Sequence, residues 1–600
     1  MGLKTFCYDH FGFLGEKIAP LFPWLDKWLE ISGSNIHPFT YASILAFISL
    51  LMLIPASLSI YLVLAVMFGL NLPSFLYIFL FLPTPIILLM IFSPLLVILL
   101  GSIIPVLAAH NKLYGFELEL PYVASYLAIM VSSGLSLYEG LRRLRRNPIF
   151  RNTAKYVSKL EATTMTKSPN PLFTLGRFAN TLNVKGFKEL VLGYISTLRS
   201  GGDVADYVYR KTELLFNEML SRVKSVADRL SLLMEACITV ISLGGVGLYL
   251  FFIVSISMGG FLGAGMSPET FFLFAFVLMP VLNGVFIYLA DTSQISYPEK
   301  IFNRYIAIVA ASPVMGLIIL GAVMPCAFNM QPIPQLTPLV EWVESIAITY
   351  LGNRGFTPAI LLSLCLIAGT LPATIYEMMQ SRKESAYSAG LTNFLRDLVE
   401  TRKSGLTPEK CLMLLSNREY GEFNKILKRI SRGLGWGLPL SKIYGEISED
   451  INNWLISTNL FLLVDTIEVG GGTAETLEVM AKFSETSMLI EKERKALLRP
   501  LLFVPYLGAI LLIVVSILFL SLMNDMLAIA GTSLPMVMLA KTLMTPLPLQ
   551  MYVLGLTAGK ISNGRVSSGF LHATLLVATT LLAFFVSPMI EASGFMGIGG

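Results

Sequence analysis

The stretch 402-RKSGLTPEKCL-412 ends one helical pattern and starts another. Before it, Leu391, Phe394, Leu395, Leu398 and Val399 follow the i, i+3, i+4, i+7, i+8 spacing of an amphipathic helix. That helix is expected to end near Ser404, because Gly405 suits a C-terminal cap in which a left-handed residue costs glycine little. Thr407-Pro408-Glu409 then reads as N-cap, first-turn proline and first-turn acid of the next helix. The stretch is a tight corner between two helices.

The same break occurs at 132-SSGLSLYEGL-141, where Gly134 precedes Gly405 by 271 positions and Ser136 with Glu139 forms an S-x-x-E capping box. Leu120, Val123 and Leu127 precede Leu391, Phe394 and Leu398 by the same interval. A second landmark pairs 199-RSGGDVADY-207 with 469-VGGGTAETL-477, setting Gly201 and Gly202 against Gly471 and Gly472 at an interval of 270. Each glycine pair precedes a charged helical stretch that runs into an apolar segment. The duplicated unit is an all-helical bundle of about 120 residues.

Composition sets this repeat in a membrane. Hydrophobic residues make up 54% of the chain, charged residues 14%, and mean hydropathy is +0.70, far from the balance of a soluble domain. Of the 44 Lys and Arg, 35 lie in two blocks: residues 111–232 hold 18 against 10 Asp and Glu, and 381–500 hold 17 against 16. The expected fold is therefore all-α and polytopic, with about nine transmembrane helices and two homologous helical-bundle domains. Spans are expected near 41–68, 74–108, 236–258, 270–290, 305–328, 356–376, 501–523, 534–557 and 568–590. The second carries Pro83, Pro85, Pro94 and Pro105, and reads as one kinked span, a re-entrant pair or two short helices.

The expected domains are an N-terminal cytoplasmic or interfacial segment (1–40), a transmembrane hairpin (41–110), a first bundle (111–235) and four spans (236–380) with outer loop 326–355. A second bundle (381–500) and three further spans (501–600) follow. Lys4, Asp9, Glu16 and Lys17 break up the N-terminus too early for a cleavable signal peptide, while Trp24 and Trp28 suit a membrane surface. The short loops 291–304 and 558–567 carry Lys300, Arg304, Lys560 and Arg565, whereas 259–268 and 524–533 carry no Lys or Arg. The positive-inside bias then places both bundles in the cytoplasm.

Catalytic signals are lacking. The stretch 555-GLTAGK-560 has the wrong spacing for a phosphate-binding loop and no strand before it, and neither H-E-x-x-H nor G-x-S-x-G is present. Cys7, Cys237, Cys326, Cys365 and Cys411 are dispersed and read as buried hydrophobes, and the four histidines form no ligand pattern. No cofactor, metal site or enzymatic activity is expected. Lys541 reads as a snorkelling lysine or an ion site within its span, and Asn283 as an interhelical hydrogen bond. The run 141-LRRLRRNP-148 presents Arg142, Arg143, Arg145 and Arg146, either as a lipid-facing basic surface or as a docking patch, without any nucleic-acid-binding motif beside it.

The repeated Gly-Leu-Ser/Thr corner, followed by a glycine pair that opens a helix, resembles the type II secretion system F domain. That domain defines the membrane platforms of type II secretion, type IV pili and the archaeal archaellum, and two, four and three spans around two such domains look most like archaeal members. The resemblance covers residues 111–590. In the second copy 429-RISRGLGWGLPLSKIY-444 resembles the family's central glycine, and Glu468-Val-Gly-Gly its Glu-x-x-Gly signature. The first copy departs, with 164-TMTKSPNPLF-173 and Leu198 at those places. The resemblance implies a platform, as a homodimer, that receives a separate hexameric secretion ATPase, handles pilin or archaellin subunits and contacts membrane lipids. Arg142, Arg143, Arg145, Arg146 and Glu468 are the candidate ATPase contacts.

Overall fold

The computed structural model describes residues 3–32, 36–68, 91–145, 147, 149–167, 170–181, 184–262, 268–295, 297–298, 302–530 and 536–592. Arg146, Lys300 and residues 74–90 of the second apolar stretch lie outside the described residues, and with them the question of one span or two. The chain divides into two compact units, Met1–Leu120 with Arg142–Leu192, and Pro121–Leu141 with Gly193–Gly600.

All described secondary structure is helical. At the N-terminus α1 (Leu3–Ile18) packs along α3 (Pro38–Leu51), with α2 (Leu25–Ser32) between them in sequence and α4 (Leu53–Phe68) following. Helix α5 (Ser93–Ser132) is a single 40-residue rod that begins apolar and ends inside the first repeat. The first repeat continues as α6 (Leu137–Leu144), α7 (Arg151–Lys167), α8 (Pro171–Thr181), α9 (Lys185–Arg199) and α10 (Val204–Ile238). In the first unit, the buried Glu119 of α5 caps α7. Its carboxylate accepts from the N–H groups of Asn152 and Thr153 at 3.1 and 2.8 Å and from the Thr153 hydroxyl at 2.7 Å.

The central spans comprise α11 (Gly244–Leu262), α12 (Pro268–Leu273), α13 (Met279–Ser293), α14 (Phe302–Ile318) and α15 (Met324–Ala327). Three π-helical turns, Thr239–Leu243, Phe274–Leu278 and Ile319–Val323, interrupt these apolar runs. One of them is stitched from outside, since Gln550 donates to the carbonyl of Ala275 at 2.9 Å. In the segment expected as an outer loop, residues around Trp342 form α16 (Thr337–Leu351), which buries Val340, Val343 and Ala347 and ends at Gly352 with φ +63°.

Helix α17 (Thr357–Lys403) is 47 residues long, about 70 Å at 1.5 Å per residue, and carries the chain from an apolar span to the corner at Gly405 without a break. The second repeat follows as α18 (Pro408–Leu415), α19 (Asn424–Gly435), α20 (Leu440–Asp450), α21 (Trp454–Glu468) and α22 (Ala474–Leu498). Helix α22 returns antiparallel to α17, as the pairs Lys403–Glu478 at 3.6 Å and Arg396–Glu485 at 3.1 Å establish. It passes through a short 3-10 turn into α23 (Phe503–Ala530); α24 (Met536–Met544), α25 (Pro546–Asn563) and α26 (Gly569–Ala592) complete the chain.

The repeat is visible in the helices themselves. Helices α6 and α18 have 8 residues each, α8 and α20 have 11, and α9 and α21 have 15. Their first residues, 137 and 408, 171 and 440, 185 and 454, lie 271, 269 and 269 positions apart.

Eight helices are long and apolar enough to cross a bilayer among the described residues, and Ser93–Val106 adds a shorter apolar stretch. They coincide with eight of the nine expected spans. The spans of the second unit share a core that includes Tyr249, Phe252, Phe271, Leu512, Leu547 and Phe584. Within it, α25 and α26 are in backbone contact. Any Cβ at Gly555 or Gly559 would collide with main-chain atoms of Ala573 or Gly569, so 555-GLTAGK-560 contributes a G-x-x-x-G packing face.

The two polar side chains singled out within the spans each have a hydrogen-bond partner. Lys541 donates to the Asn329 side chain at 2.6 Å. Asn283 bonds the Met279 carbonyl of its own helix at 3.3 Å, instead of the neighbouring helix expected. The five cysteines are free thiols, four of them buried.

Candidate functional site

Both corners have the backbone their sequence demands. Gly134 and Gly405 adopt φ +87° and +88°, in the left-handed region that only glycine enters without strain. At the first, the N–H of Leu135 reaches the Met130 carbonyl at 3.0 Å and that of Gly134 the Val131 carbonyl at 2.9 Å, the paired bonds of a Schellman cap. At the second, Gly405 N–H bonds the Arg402 carbonyl at 3.0 Å. The restarts are capped as well. The Thr407 hydroxyl accepts from Lys410 N–H at 3.4 Å with Pro408 at the first helical position, and the Ser136 hydroxyl accepts from Glu139 N–H at 3.3 Å.

The glycine pairs need one correction. The left-handed residues are Gly201, φ +71°, and Gly470, φ +86°, and the next N–H in each case reaches back five residues: Gly202 to Thr197 and Gly471 to Thr466, both at 3.0 Å. Gly201 and Gly202 therefore correspond to Gly470 and Gly471, an interval of 269. The second turn holds one extra residue, Gly472, before its N-cap Thr473, whereas Asp203 caps α10 directly after Gly202.

Gly471 and Gly472 are small for a different reason. A Cβ on Gly471 would lie 2.9 Å from Cβ of Ser133, one residue before the first corner, and a Cβ on Gly472 would lie 2.6 Å from Cγ of Pro408 at the second. The second glycine turn is thus wedged between the two corners. Arg402, which the sequence pattern did not single out, clamps it. Its guanidinium donates to the carbonyl of Gly472 and to that of Leu406, each at 2.6 Å. Val131 stands at the equivalent place in the first repeat, so the clamp exists once.

Glu468 lies two residues before Gly470 and accepts from the N–H of Ser441 at 2.6 Å, which caps α20 while leaving the side chain exposed. The landmarks at 405, 441, 468 and 470–472 share one end of the second bundle. Helix α17 places that end about 40 Å beyond its apolar segment.

The arginine run behaves differently from a free patch. Arg142 and Arg145 both pair with Glu161 of α7, Arg142 at 3.5 Å, and Glu161 is buried. Two of the four guanidinium charges are thereby spent inside the first unit.

At the other end of the second bundle lies a layer of buried charge. Arg304, 1% exposed, donates to Glu377 at 2.8 Å and also pairs with Glu384, whose second oxygen accepts from Arg565 at 3.1 Å. Lys560, also buried, pairs with Asp291 and donates to the Gly564 carbonyl at 2.9 Å. Glu491 of α22 accepts two bonds from Arg494 at 2.8 Å. Burial opposes its charge, but Arg494, Lys495 and Arg565 outweigh burial and hold the carboxyl below the usual carboxylate range. Arg304, Lys560 and Arg565, basic residues of the short loops, are thus ion-paired among α13, α14, α17 and α25.

Among the described residues no cluster of three or more His, Cys, Asp or Glu could hold a metal. An apolar cavity between α19, α20 and α21, lined by Ile430, Ile443 and Leu460, has a volume of about 10 Å³, the space of one water.

A duplicated set of six helices, each copy continuous with membrane spans, defines a class of polytopic helical membrane protein. Residues 123–252 and 394–521 each match the family model described as type II secretion system (T2SS), protein F. The two matched regions coincide with the two copies of the repeat. An uncharacterised protein of Methanocaldococcus jannaschii is 19% identical over 418 residues, which span 64% of this chain and 64% of the relative. No solved structure matches the chain.

Proposed function

We propose that this chain is the membrane platform of an archaeal type IV pilus-like machine, an archaellum, adhesive pilus or related filament, that anchors a cytoplasmic hexameric secretion ATPase. In this reading both bundles are cytoplasmic, the chain works as a homodimer among membrane lipids, and ATP-driven displacement of the bundles helps lift pilin or archaellin subunits into the filament. The observation that carries it is mechanical. Helix α17 joins the far end of the second bundle to a span without interruption, and α22 returns along it into α23. A push at the far end reaches the bilayer through two rods and the buried charges at their base, with no flexible linker to absorb it.

The far end of the second bundle, with Gly405, Gly470–Gly472 and Glu468, is proposed as the principal ATPase contact, and the run Arg142, Arg143, Arg145 and Arg146 as a secondary one. The test is binding of a purified hexameric secretion ATPase from the same organism to the full-length protein in nanodiscs, together with ATP turnover. Saturable binding with altered turnover supports the reading. An ATPase that neither binds nor changes its rate contradicts it.

A further inference from the structure

We propose that Trp436 and the basic face of α19 form an anchor for an acidic surface, bearing an apolar socket, on the soluble ATPase; this rests on the platform reading above. Trp436 is 78% exposed, although tryptophan is a residue that folding ordinarily hides. Its position is fixed. The Trp436 N–H bonds the Arg432 carbonyl at 3.1 Å, Gly437 bonds Leu434 at 2.9 Å with φ +74°, and Leu438 bonds Gly433 at 3.0 Å. A capped backbone therefore sets the point at which the indole leaves the turn and projects into solvent.

The fold does not require this side chain. The first repeat joins its corresponding helices through 167-KSPN-170, which contains no aromatic residue. The indole is thus an addition to the second copy, in a chain that holds only five tryptophans, placed where it makes no core.

Charge points to the occupant. Residues 424–445 hold Lys425, Lys428, Arg429, Arg432 and Lys442 and no acid. Lys425 pairs with Glu422 at 2.6 Å and Arg429 with Asp450, while Lys428 and Arg432 are exposed along the helix face that leads to Trp436. Cations beside an exposed indole match the composition of interface hot spots and favour an acidic partner. A lipid surface fits poorly. Trp436 lies five residues before Ser441, which bonds Glu468 at the end of the bundle about 40 Å beyond the apolar part of α17.

The experiment measures binding of the purified ATPase to full-length wild type, Trp436→Ala and Lys428→Glu/Arg432→Glu in nanodiscs, with melting temperatures recorded in parallel. Trp436→Ala is expected to weaken binding about tenfold or more at unchanged melting temperature. The charge reversal should weaken it and flatten its salt dependence. Wild-type binding that both variants retain would overturn the anchor and leave the platform reading standing. Absence of wild-type binding would overturn both. Binding that ignores Trp436→Ala but needs anionic lipid in the nanodisc would assign the interaction to lipid, and also overturns the anchor.

Discussion

At the residue scale, glycines that look alike in sequence do two different jobs. Gly134, Gly201, Gly405 and Gly470 supply left-handed backbone, whereas Gly471 and Gly472 supply close approach. A Cβ on Gly405 meets nothing within 4 Å, so Gly405→Ala should cost only the backbone strain, about 1–2 kcal/mol, and Gly405→Val more, read from thermal melts of the full chain in detergent. At Gly471 the cost comes from Ser133. Gly471→Ala should destabilise, and Ser133→Gly should restore part of the loss, a coupling that independent sites would not show. The corners themselves were legible, because a left-handed cap followed by Thr-Pro-Glu leaves few alternatives. The glycine turns were misread by one residue, since 470-GGG-472 offers two registers and only tertiary contact separates them. Glu491 gives a pH prediction. Its carboxyl is held below the ordinary value of 4.5, so its stabilisation is present above that pH and is lost as pH falls through the lower folded value. Glu491→Gln should therefore melt below wild type at neutral pH, and the gap should close on acidification.

At the element scale, hydropathy located eight spans because about 20 apolar residues in a row have few other uses, and it located the helices after the corners through their caps. It could not show that α17 runs unbroken from bundle to span, since a change from polar to apolar composition looks the same whether or not the helix breaks there. The π-turns were equally hidden, because they depend on partners such as Gln550, 275 residues away. The contact of α25 with α26 was present in sequence as Gly555 and Gly559, but a lysine at position 560 drew attention to phosphate loops instead. Gly559→Leu should force the two helices apart and lower the melting temperature, with a cost of about 1–3 kcal/mol or more. An unchanged melt would contradict the backbone contact described for this pair.

At the scale of the molecule, the basic loop residues Arg304, Lys560 and Arg565 fasten the base of the second bundle through ion pairs. Arg304 faces two carboxylates in a site closed to water, so Arg304→Met should cost about 3–5 kcal/mol by leaving Glu377 without its cation and Glu384 with Arg565 alone. Adding Glu377→Gln and Glu384→Gln should recover much of that loss. Sequence could count these charges but not pair them, because the partners lie 73 and 80 residues from Arg304. In the function proposed above, a docking end, two rods and a charged base work as one platform, and each part is of use only if the ATPase engages the far end. The most direct measurement is therefore ATP turnover by the partner ATPase, with and without the full-length chain in nanodiscs. The account predicts a saturable change in turnover that Trp436→Ala shifts to higher concentration. A turnover indifferent to the wild-type chain would contradict the account.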